Sequence, residues 1–245
     1  MVSPTSQAFN YESYGYTGTI PTQVGRLTQI TQFMLGSNDL TGGLPTEIGL
    51  MTSVILRFSV HENTLTGTIP TQTGAMTALG SYFKFHDNSI GGTLPTEIGK
   101  LTGLSRFVWG YTNSLSGAFP SEIGLLRAMD NGIRFDQNSF RGQLPTQFGS
   151  LTGLTQDLDV KKNWGFTGTI PTEFGNMTLM KLKFRLEENS LSQRIPSELG
   201  RFTAMTNYFD LNYNPLTGSI PTQIGRMSLM QYRMKMGRNS LTGEM

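Results

Sequence analysis

The sequence predicts an α/β solenoid, in which one short unit is stacked many times on itself. A proline returns every 24 to 26 residues, at Pro21, Pro45, Pro70, Pro95, Pro120, Pro145, Pro171, Pro196 and Pro221. An asparagine recurs with the same spacing, at Asn38, Asn63, Asn88, Asn113, Asn138, Asn163, Asn189, Asn214 and Asn239. A period of roughly 20–50 residues is typical of stacked supersecondary units. We therefore predict a single array of about nine repeats over residues 1–245.

Each repeat is predicted to contain a short strand just before its asparagine. Two apolar residues stand two positions apart there, as in Phe58 and Val60 or Phe83 and Phe85. Such alternation over a short run indicates a half-buried strand. A buried asparagine amide can hydrogen-bond the backbone of its own turn and of the next coil, so we expect an asparagine ladder inside the solenoid.

The segment that follows each proline is predicted to form a short helical turn. It reads Pro-Thr-Glu-Ile-Gly in its commonest form, and we expect the threonine to cap the turn and the glycine to end it with a positive φ. The 13 methionines fall mostly at apolar positions of the repeat, where we expect them to fill the core.

Composition limits the functions that this chain can have. A net charge of +2 does not indicate a nucleic-acid or anionic-membrane partner, and the absence of cysteine excludes disulfides and thiolate chemistry. No apolar run is long enough for a transmembrane segment, and residues 1–13 lack the features of a signal peptide. No nucleophile, base or phosphate-binding loop stands out, so we expect a non-catalytic protein without a cofactor.

These motifs resemble the leucine-rich repeat of the plant type. Its consensus places L-x-G-x-I-P after the asparagine, as Leu65, Gly67, Ile69 and Pro70 do here. The resemblance implies a right-handed superhelix with a parallel β-sheet on the concave face and helical turns and loops on the convex face. Plant-type repeats occur in ectodomains of receptor-like kinases and in related algal arrays. The resemblance therefore also implies a recognition scaffold located outside the cell or at its surface.

Several positions depart from the repeat pattern. Most intervals are 25 residues long, with the extra residue before the strand, where we expect a wider loop. A further residue follows Asn163, and we expect a local bulge at residues 164–166. Gln193 replaces the usual glycine, and Thr73 replaces an apolar core residue.

The ends of the chain carry no recognisable polar cap. Phe9 and Tyr11 fit the strand positions and Tyr16 fits the leucine-like position, so the array is already established near the start. Terminal repeats of a solenoid need a cap. We therefore expect a fragment of a longer array, or ends that are covered by another part of a larger complex.

The outward positions of the predicted strands vary from repeat to repeat, whereas the core positions do not. Because packing does not dictate these side chains, we predict that the concave strand face binds a protein or peptide partner. The candidate ligand-binding residues are Tyr82, Lys84, His86, Trp109, Tyr111, Arg134 and Asp136. The simpler interpretation is an ordinary solvated sheet face.

Rows of hydroxyl side chains favour a different function. The residue after each proline is Thr22, Thr46, Thr71, Thr96, Ser121, Thr146, Thr172, Ser197 or Thr222, and a second row begins at Thr28. Rows at a strand spacing of about 4.8 Å could match an ice lattice, which makes an ice-binding or surface-adsorbing protein the alternative. Capping would need the same residues, and glutamates interrupt the row. A structural subunit of a larger assembly is a third hypothesis.

The only two histidines, His61 and His86, occupy the same position of adjacent repeats and precede Glu62 and Asp87. A two-histidine metal site is geometrically feasible, but neighbouring residues on a strand face opposite ways and no further ligand is evident, so we predict no metal. We expect mutual repulsion to lower the pKa of at least one histidine. A sequon at Asn176 predicts a glycosylation site if the protein is secreted.

Overall fold

The computed structural model describes residues 7–243 and contains a ten-stranded parallel sheet. Each strand is three residues long and pairs with its counterparts in the preceding and following repeats, in chain order. We call this the main sheet. Its strands are Ala8–Asn10, Gln32–Met34, Arg57–Ser59, Tyr82–Lys84, Phe107–Trp109, Gly132–Arg134, Asp157–Asp159, Lys183–Arg185, Tyr208–Asp210 and Arg233–Lys235. The stacked parallel strands confirm the predicted solenoid.

The strands pair in register, so equivalent side chains form columns across the main sheet. Phe58 pairs with Phe33 on one side and Phe83 on the other, and the rings of Phe33 and Phe58 stack 5.4 Å apart. All three phenylalanines are fully buried. The central residue of each strand therefore faces the core, and its two neighbours form the outward side of the sheet, which we call the sheet face.

The helical turns are present, but all nine within residues 7–243 are five-residue 3-10 turns. They are Thr22–Arg26, Thr46–Leu50, Thr71–Ala75, Thr96–Lys100, Ser121–Leu125, Thr146–Ser150, Thr172–Asn176, Ser197–Arg201 and Thr222–Arg226. No helix in this part of the chain combines the length and apolar character needed to cross a bilayer.

The predicted roles of threonine and glycine in these turns are wrong. The proline before each turn is extended and no side chain caps the turn, because the Thr46 hydroxyl donates instead to the Glu47 carboxylate, 3.2 Å away. The glycine does not adopt a positive φ. A methyl group on Gly74 would lie 2.9 Å from the backbone oxygen of Glu97, so glycine is needed where successive turns approach closely.

A second set of short parallel strands, which the sequence did not predict, follows the asparagines. They form a two-stranded, a five-stranded and a three-stranded sheet. The strands are Thr17–Thr19 and Asp39–Thr41; Gly91–Thr93, Ser114–Gly117, Ser139–Gln143, Gly165–Gly168 and Ser190–Leu191; and Gln193–Arg194, Leu216–Gly218 and Ser240–Leu241. The glycine of this segment is the one with a positive φ, for example +72° at Gly67.

The asparagine ladder is confirmed. The side-chain oxygen of Asn138 accepts a hydrogen bond from the Leu115 amide of the preceding repeat at 3.0 Å. Its amino group donates to the carbonyl oxygens of Gly110, in that same preceding repeat, and of Phe135 and Asp136. The same pattern recurs at the other ladder asparagines, except that the Asn38 oxygen accepts from two amides, those of Tyr14 and Tyr16, and that Asn189 has the different partner described below. Each asparagine therefore closes its own turn and ties it to the adjacent coil.

The buried residues of the core occupy the repeat positions that were predicted to be apolar. Met51, Met76, Met129 and Met177 are fully buried, which confirms methionine as a core residue here. Thr73 is also fully buried, and its hydroxyl donates to the Pro70 carbonyl at 2.8 Å. This bond explains how a polar side chain is tolerated at an apolar position, since its hydrogen-bonding capacity is met locally.

The insertions are absorbed at the positions predicted from the sequence. Where the repeat lengthens, the Ile55 and Leu56 amides both donate to the same Thr31 carbonyl. The residue inserted after Asn163 leaves Trp164 67% exposed with φ +48°. The bulge also changes the ladder, because Asn189 accepts a hydrogen bond from the Asn163 amide instead of from an amide two residues further on.

The first repeat differs in part from the expectation. Phe9 pairs and stacks with Phe33, as predicted for a strand residue. Tyr16 is 45% exposed and contacts the rings of Tyr11 and Tyr14, so it does not fill the core as its position predicted. The predicted outer bounds, residues 1 and 245, lie outside the described residues.

Replacement of one ladder asparagine should destabilise the protein. Asn138→Leu removes the partners of the buried Leu115 amide and of the Gly110 carbonyl. We expect a loss of about 1–3 kcal/mol in the free energy of unfolding, because unpaired buried polar groups cost this much. Chemical denaturation measures the change. The same substitution at the more exposed Asn239 should cost less, and equal losses at the two positions would contradict the ladder.

Restoring the glycine at position 193 should stabilise the protein. Gln193 adopts φ +68° on an exposed strand, a conformation that costs a residue with a Cβ atom about 1 kcal/mol. We expect Gln193→Gly to raise the free energy of unfolding by up to about 1 kcal/mol. Gln143→Gly is a control, because Gln143 lies on an exposed strand without a positive φ and glycine there should destabilise. A stabilising effect at both positions would show that the φ angle is not the cause.

Candidate functional site

Six of the predicted ligand-binding residues form one continuous group on the sheet face. We call Tyr82, Lys84, His86, Trp109, Tyr111 and Arg134 the aromatic–cationic cluster. Lys84, Trp109 and Arg134 are directly paired in register on three consecutive strands. The repeat thus brings together side chains that are about 25 residues apart in sequence.

Cationic groups lie over the aromatic rings of this cluster. The Lys84 ammonium is 4.3 Å from the Trp109 ring centre and 4.9 Å from that of Tyr82. The Arg134 guanidinium is 4.1 Å from the centre of the Tyr111 ring. Each such contact contributes about 0.5–1 kcal/mol at an exposed site. These contacts hold long, otherwise flexible side chains in defined positions.

Arg134 is also anchored through Asp136, the seventh predicted residue. The guanidinium donates to the Asp136 carboxylate at 3.3 Å, and the Asp136 side chain is almost fully buried. The Gln137 side-chain amide donates to the other carboxylate oxygen of Asp136. Asp136 therefore supports Arg134 from beneath and offers little surface of its own.

His86 is packed between two other rings. It stacks on Tyr111 with ring centres 4.3 Å apart, and the His61 ring lies 4.7 Å away on the adjacent repeat. Burial lowers the pKa of His86 to about 4, with a smaller contribution from His61, and burial also lowers the pKa of His61. The lowered pKa agrees with the prediction, but its main cause is desolvation and not repulsion between the two histidines.

The Trp109 indole carries a buried N–H group that has no hydrogen-bond partner among residues 7–243. Its side chain is half-buried, between Phe107, Lys84 and the ring of His86. A buried donor without an acceptor carries a desolvation cost of about 1–3 kcal/mol. Because the nitrogen is buried, a ligand's carbonyl or carboxylate oxygen could pair with it only after a neighbouring side chain, such as that of Lys84, moves aside.

A group of buried charges on the following strands was not among the predicted site residues. Asp159 is fully buried and lies 3.6 Å from the Arg185 guanidinium, which also pairs with Glu187. Asp157 contacts the Lys183 ammonium at 3.4 Å. Burial and the neighbouring carboxylate of Asp136 raise the pKa of Asp159 to about 7. Sequence position places these residues on the sheet face, but their burial depends on the side chains of neighbouring repeats.

The hydroxyl row lies on exposed turns, apart from the main sheet. Thr96 and Thr172 are exposed and donate to the carboxylates of the glutamates that follow them, at 3.3 Å each. Ser121 and Ser197 make the same contact at 3.2 Å. Asn176, the predicted glycosylation site, is exposed at the end of the Thr172–Asn176 turn, and Thr178 of its sequon is also exposed.

Comparison with known proteins shows similarity to leucine-rich-repeat proteins. The leucine-rich-repeat family model matches residues 206–227. The Arabidopsis receptor kinase HAESA, in complex with the peptide hormone IDA and the co-receptor SERK1, is 28% identical, with a TM-score of 0.89 over 97% of this chain and 38% of HAESA. No curated protein sequence matches the chain significantly.

Two further solved structures are similar. The plant peptide hormone receptor RGFR1, in complex with RGF2, is 28% identical, with a TM-score of 0.75 over 96% of this chain and 40% of the receptor. A plant ice-binding protein is 22% identical, with a TM-score of 0.73 over 97% of this chain and 72% of its own, a likeness of fold alone. The chain thus spans about 40% of the length of the receptor structures it resembles.

The repeat pattern, the stacked parallel strands and these similarities agree on the class of fold. The chain has the solenoid fold of plant-type leucine-rich-repeat proteins and is similar to their receptor ectodomains.

His86 should remain neutral in mildly acidic solution. The unfolded chain takes up a proton at His86 near pH 6.5, whereas the folded protein does so only near pH 4. The contribution of His86 to stability is therefore complete above pH 6.5 and is lost as the pH falls towards 4. We expect an NMR titration to show little change of the His86 ring signals between pH 7.5 and 5.5. A midpoint near 6.5 would contradict the burial of this ring.

Proposed function

We propose that this protein is a non-catalytic recognition scaffold, which binds a protein or peptide segment on its sheet face at the aromatic–cationic cluster. The observation that carries the proposal is the Trp109 side chain, whose buried indole N–H has no partner within the described residues. A peptide backbone offers carbonyl oxygens at regular spacing, and one of these would reach the indole nitrogen once the Lys84 side chain moves off the ring. Nothing comparable supports a catalytic role.

The fixed conformation of the side chains in the aromatic–cationic cluster also favours binding. Tryptophan, tyrosine and arginine are the residue types enriched at binding hot spots. Here Lys84, Arg134 and the rings beneath them already hold one another in place before a ligand arrives. A ligand would therefore lose less free energy to side-chain ordering than it would on a flexible surface.

The similar receptors support the same proposal. HAESA and RGFR1 are described in complex with peptide hormones, and HAESA also with a co-receptor. By this similarity we propose an extracellular or cell-surface location for the protein. Exposure of the Asn176 sequon on a turn, away from the sheet face, is consistent with glycosylation that leaves the binding surface uncovered.

Ice binding through the hydroxyl row is the alternative. The row is regular and exposed, which favours it. The hydroxyls of Thr96 and Thr172 are, however, engaged by adjacent carboxylates, and these charged groups would disturb an ordered water layer. Thermal hysteresis and ice-shaping measurements distinguish this function. A structural role in a larger assembly is the third hypothesis, which purification of the intact complex from the source would test.

Truncation of the central tryptophan should abolish most of the binding. For a peptide selected from a random displayed library on the immobilised protein, we expect Trp109→Ala to weaken binding by about 2 kcal/mol or more, roughly 30-fold. Thr96→Ala, on an exposed turn, is the matched control and should leave the affinity unchanged. Calorimetry measures both. The reverse ranking, or loss of ice shaping in the Thr96 variant, would favour the alternative.

A second readout locates the ligand directly. The chain has two tryptophans, and Trp164 is 67% exposed at the bulge. In a Trp164→Phe background, Trp109 is the sole tryptophan, so its fluorescence should respond to the bound peptide. An unchanged emission spectrum upon saturation with the peptide would place the binding site elsewhere.

A further inference from the structure

Three potential metal-ligating side chains meet at the edge of the sheet face, beside the aromatic–cationic cluster. One donor atom from each of Glu62, His86 and Asp87 lies within 4.8 Å of the other two. The His86 Nδ1 is 2.9 Å from the Asp87 carboxylate. These residues come from two consecutive repeats, and the stack of coils brings them together.

The turn after the strand explains why Asp87 reaches His86. On an extended strand the two side chains would point to opposite faces, which is the reason that the sequence predicted no further ligand. Asp87 and Glu62, however, adopt φ values of +52° and +50°. These left-handed residues turn the chain, so the Asp87 carboxylate returns to the side of the imidazole that precedes it. The sequence-based expectation of opposite faces is therefore wrong at this position.

The imidazole is already held in a fixed orientation. Tyr111 stacks on one side of the His86 ring and the His61 ring lies nearby on the adjacent repeat. His86 is 4% exposed, so its neighbours restrict rotation of the ring. Glu62 is exposed, so an ion can enter from solvent and one ligand can adjust.

His61 has a different role. Its Nδ1 is 2.7 Å from the Ser59 hydroxyl, and its donor atoms are not among the three that converge. The His61 ring packs beside His86 and supports its orientation. The convergent set is therefore one imidazole and two carboxylates, and not the pair of histidines that the sequence brings to notice.

We propose that Glu62, His86 and Asp87 form a binding site for a divalent transition-metal ion, with Zn²⁺ as the best-fitting probe. One nitrogen and two carboxylate oxygens suit zinc, at distances of about 2.0–2.2 Å from the ion. On binding, the exposed Glu62 carboxylate, which now accepts from the Ser37 hydroxyl, rotates to meet the ion. The 2.9 Å contact between His86 and Asp87 opens slightly as its proton is released to solvent. Three protein ligands leave one tetrahedral position for water or for a carboxylate from a bound partner.

The proposal is tested by titrating the apo protein with Zn²⁺ alone in a calorimeter. We expect one ion bound per chain, and the His86 ring signals should shift in the NMR spectrum. Glu62→Gln, His86→Gln and Asp87→Asn should each lower the affinity for Zn²⁺ more than about tenfold. Loss of a residue that only hydrogen-bonds to a metal ligand typically lowers metal affinity by about 10–100-fold, and loss of a ligand itself should cost at least as much. Glu62 is exposed, so its variant should fold normally.

Glu188→Gln is the matched control. Glu188 occupies the same turn position as Glu62 and Asp87 and also has a positive φ, but the residue before it is Glu187 and not histidine. Its substitution should leave Zn²⁺ binding unchanged. Equal binding by wild type and the Glu62 and His86 variants, or Ca²⁺ binding as tight as Zn²⁺ binding, would overturn the site in favour of unspecific attraction to surface carboxylates. Either outcome leaves the proposed peptide binding at Trp109 untouched.

Discussion

The hydrogen bonds of the buried asparagine side chains are the constraint on which the rest of the structure depends. Asn138 closes its own turn and simultaneously bonds the Leu115 amide and the Gly110 carbonyl of the coil before it. Because successive strands are only three residues long, their own backbone bonds could not fix the register of so large a stack. The ladder makes each coil copy the geometry of its neighbour, which aligns the core positions and the sheet face alike.

This alignment places different constraints on the two sides of the main sheet. Core positions must interlock with identical positions above and below, as the stacked rings of Phe33 and Phe58 do. Outward positions have no such partner in the core, so they are free to vary. Because the strands are in register, variable side chains of adjacent repeats contact one another. Lys84, Trp109 and Arg134 are in contact only because their repeats are stacked.

The repeat pattern was sufficient to predict the strands, the ladder, the core methionines and the place of both insertions. It failed where a property depends on the distance between coils. Gly74 is required by the backbone of the next turn, and the short strands after the asparagines exist only through pairing between repeats. The burial of Asp159 and the approach of Asp87 to His86 depend equally on side-chain packing and on φ angles. A consensus pattern taken from one sequence contains no information on side-chain packing or on φ angles.

The coil that follows the insertion after Asn163 links two of the sheets formed by the second set of strands. In this coil, Ser190–Leu191 ends the five-stranded sheet and pairs with the coil before it, whereas Gln193–Arg194 begins the three-stranded sheet and pairs with the coil after it. In a stack where each coil touches only its neighbours, cohesion is a local quantity. Ser192 bridges this joint, because its amide donates to the Gly168 carbonyl of the coil before it, so the stack stays continuous across the coil in which one sheet ends and the next begins.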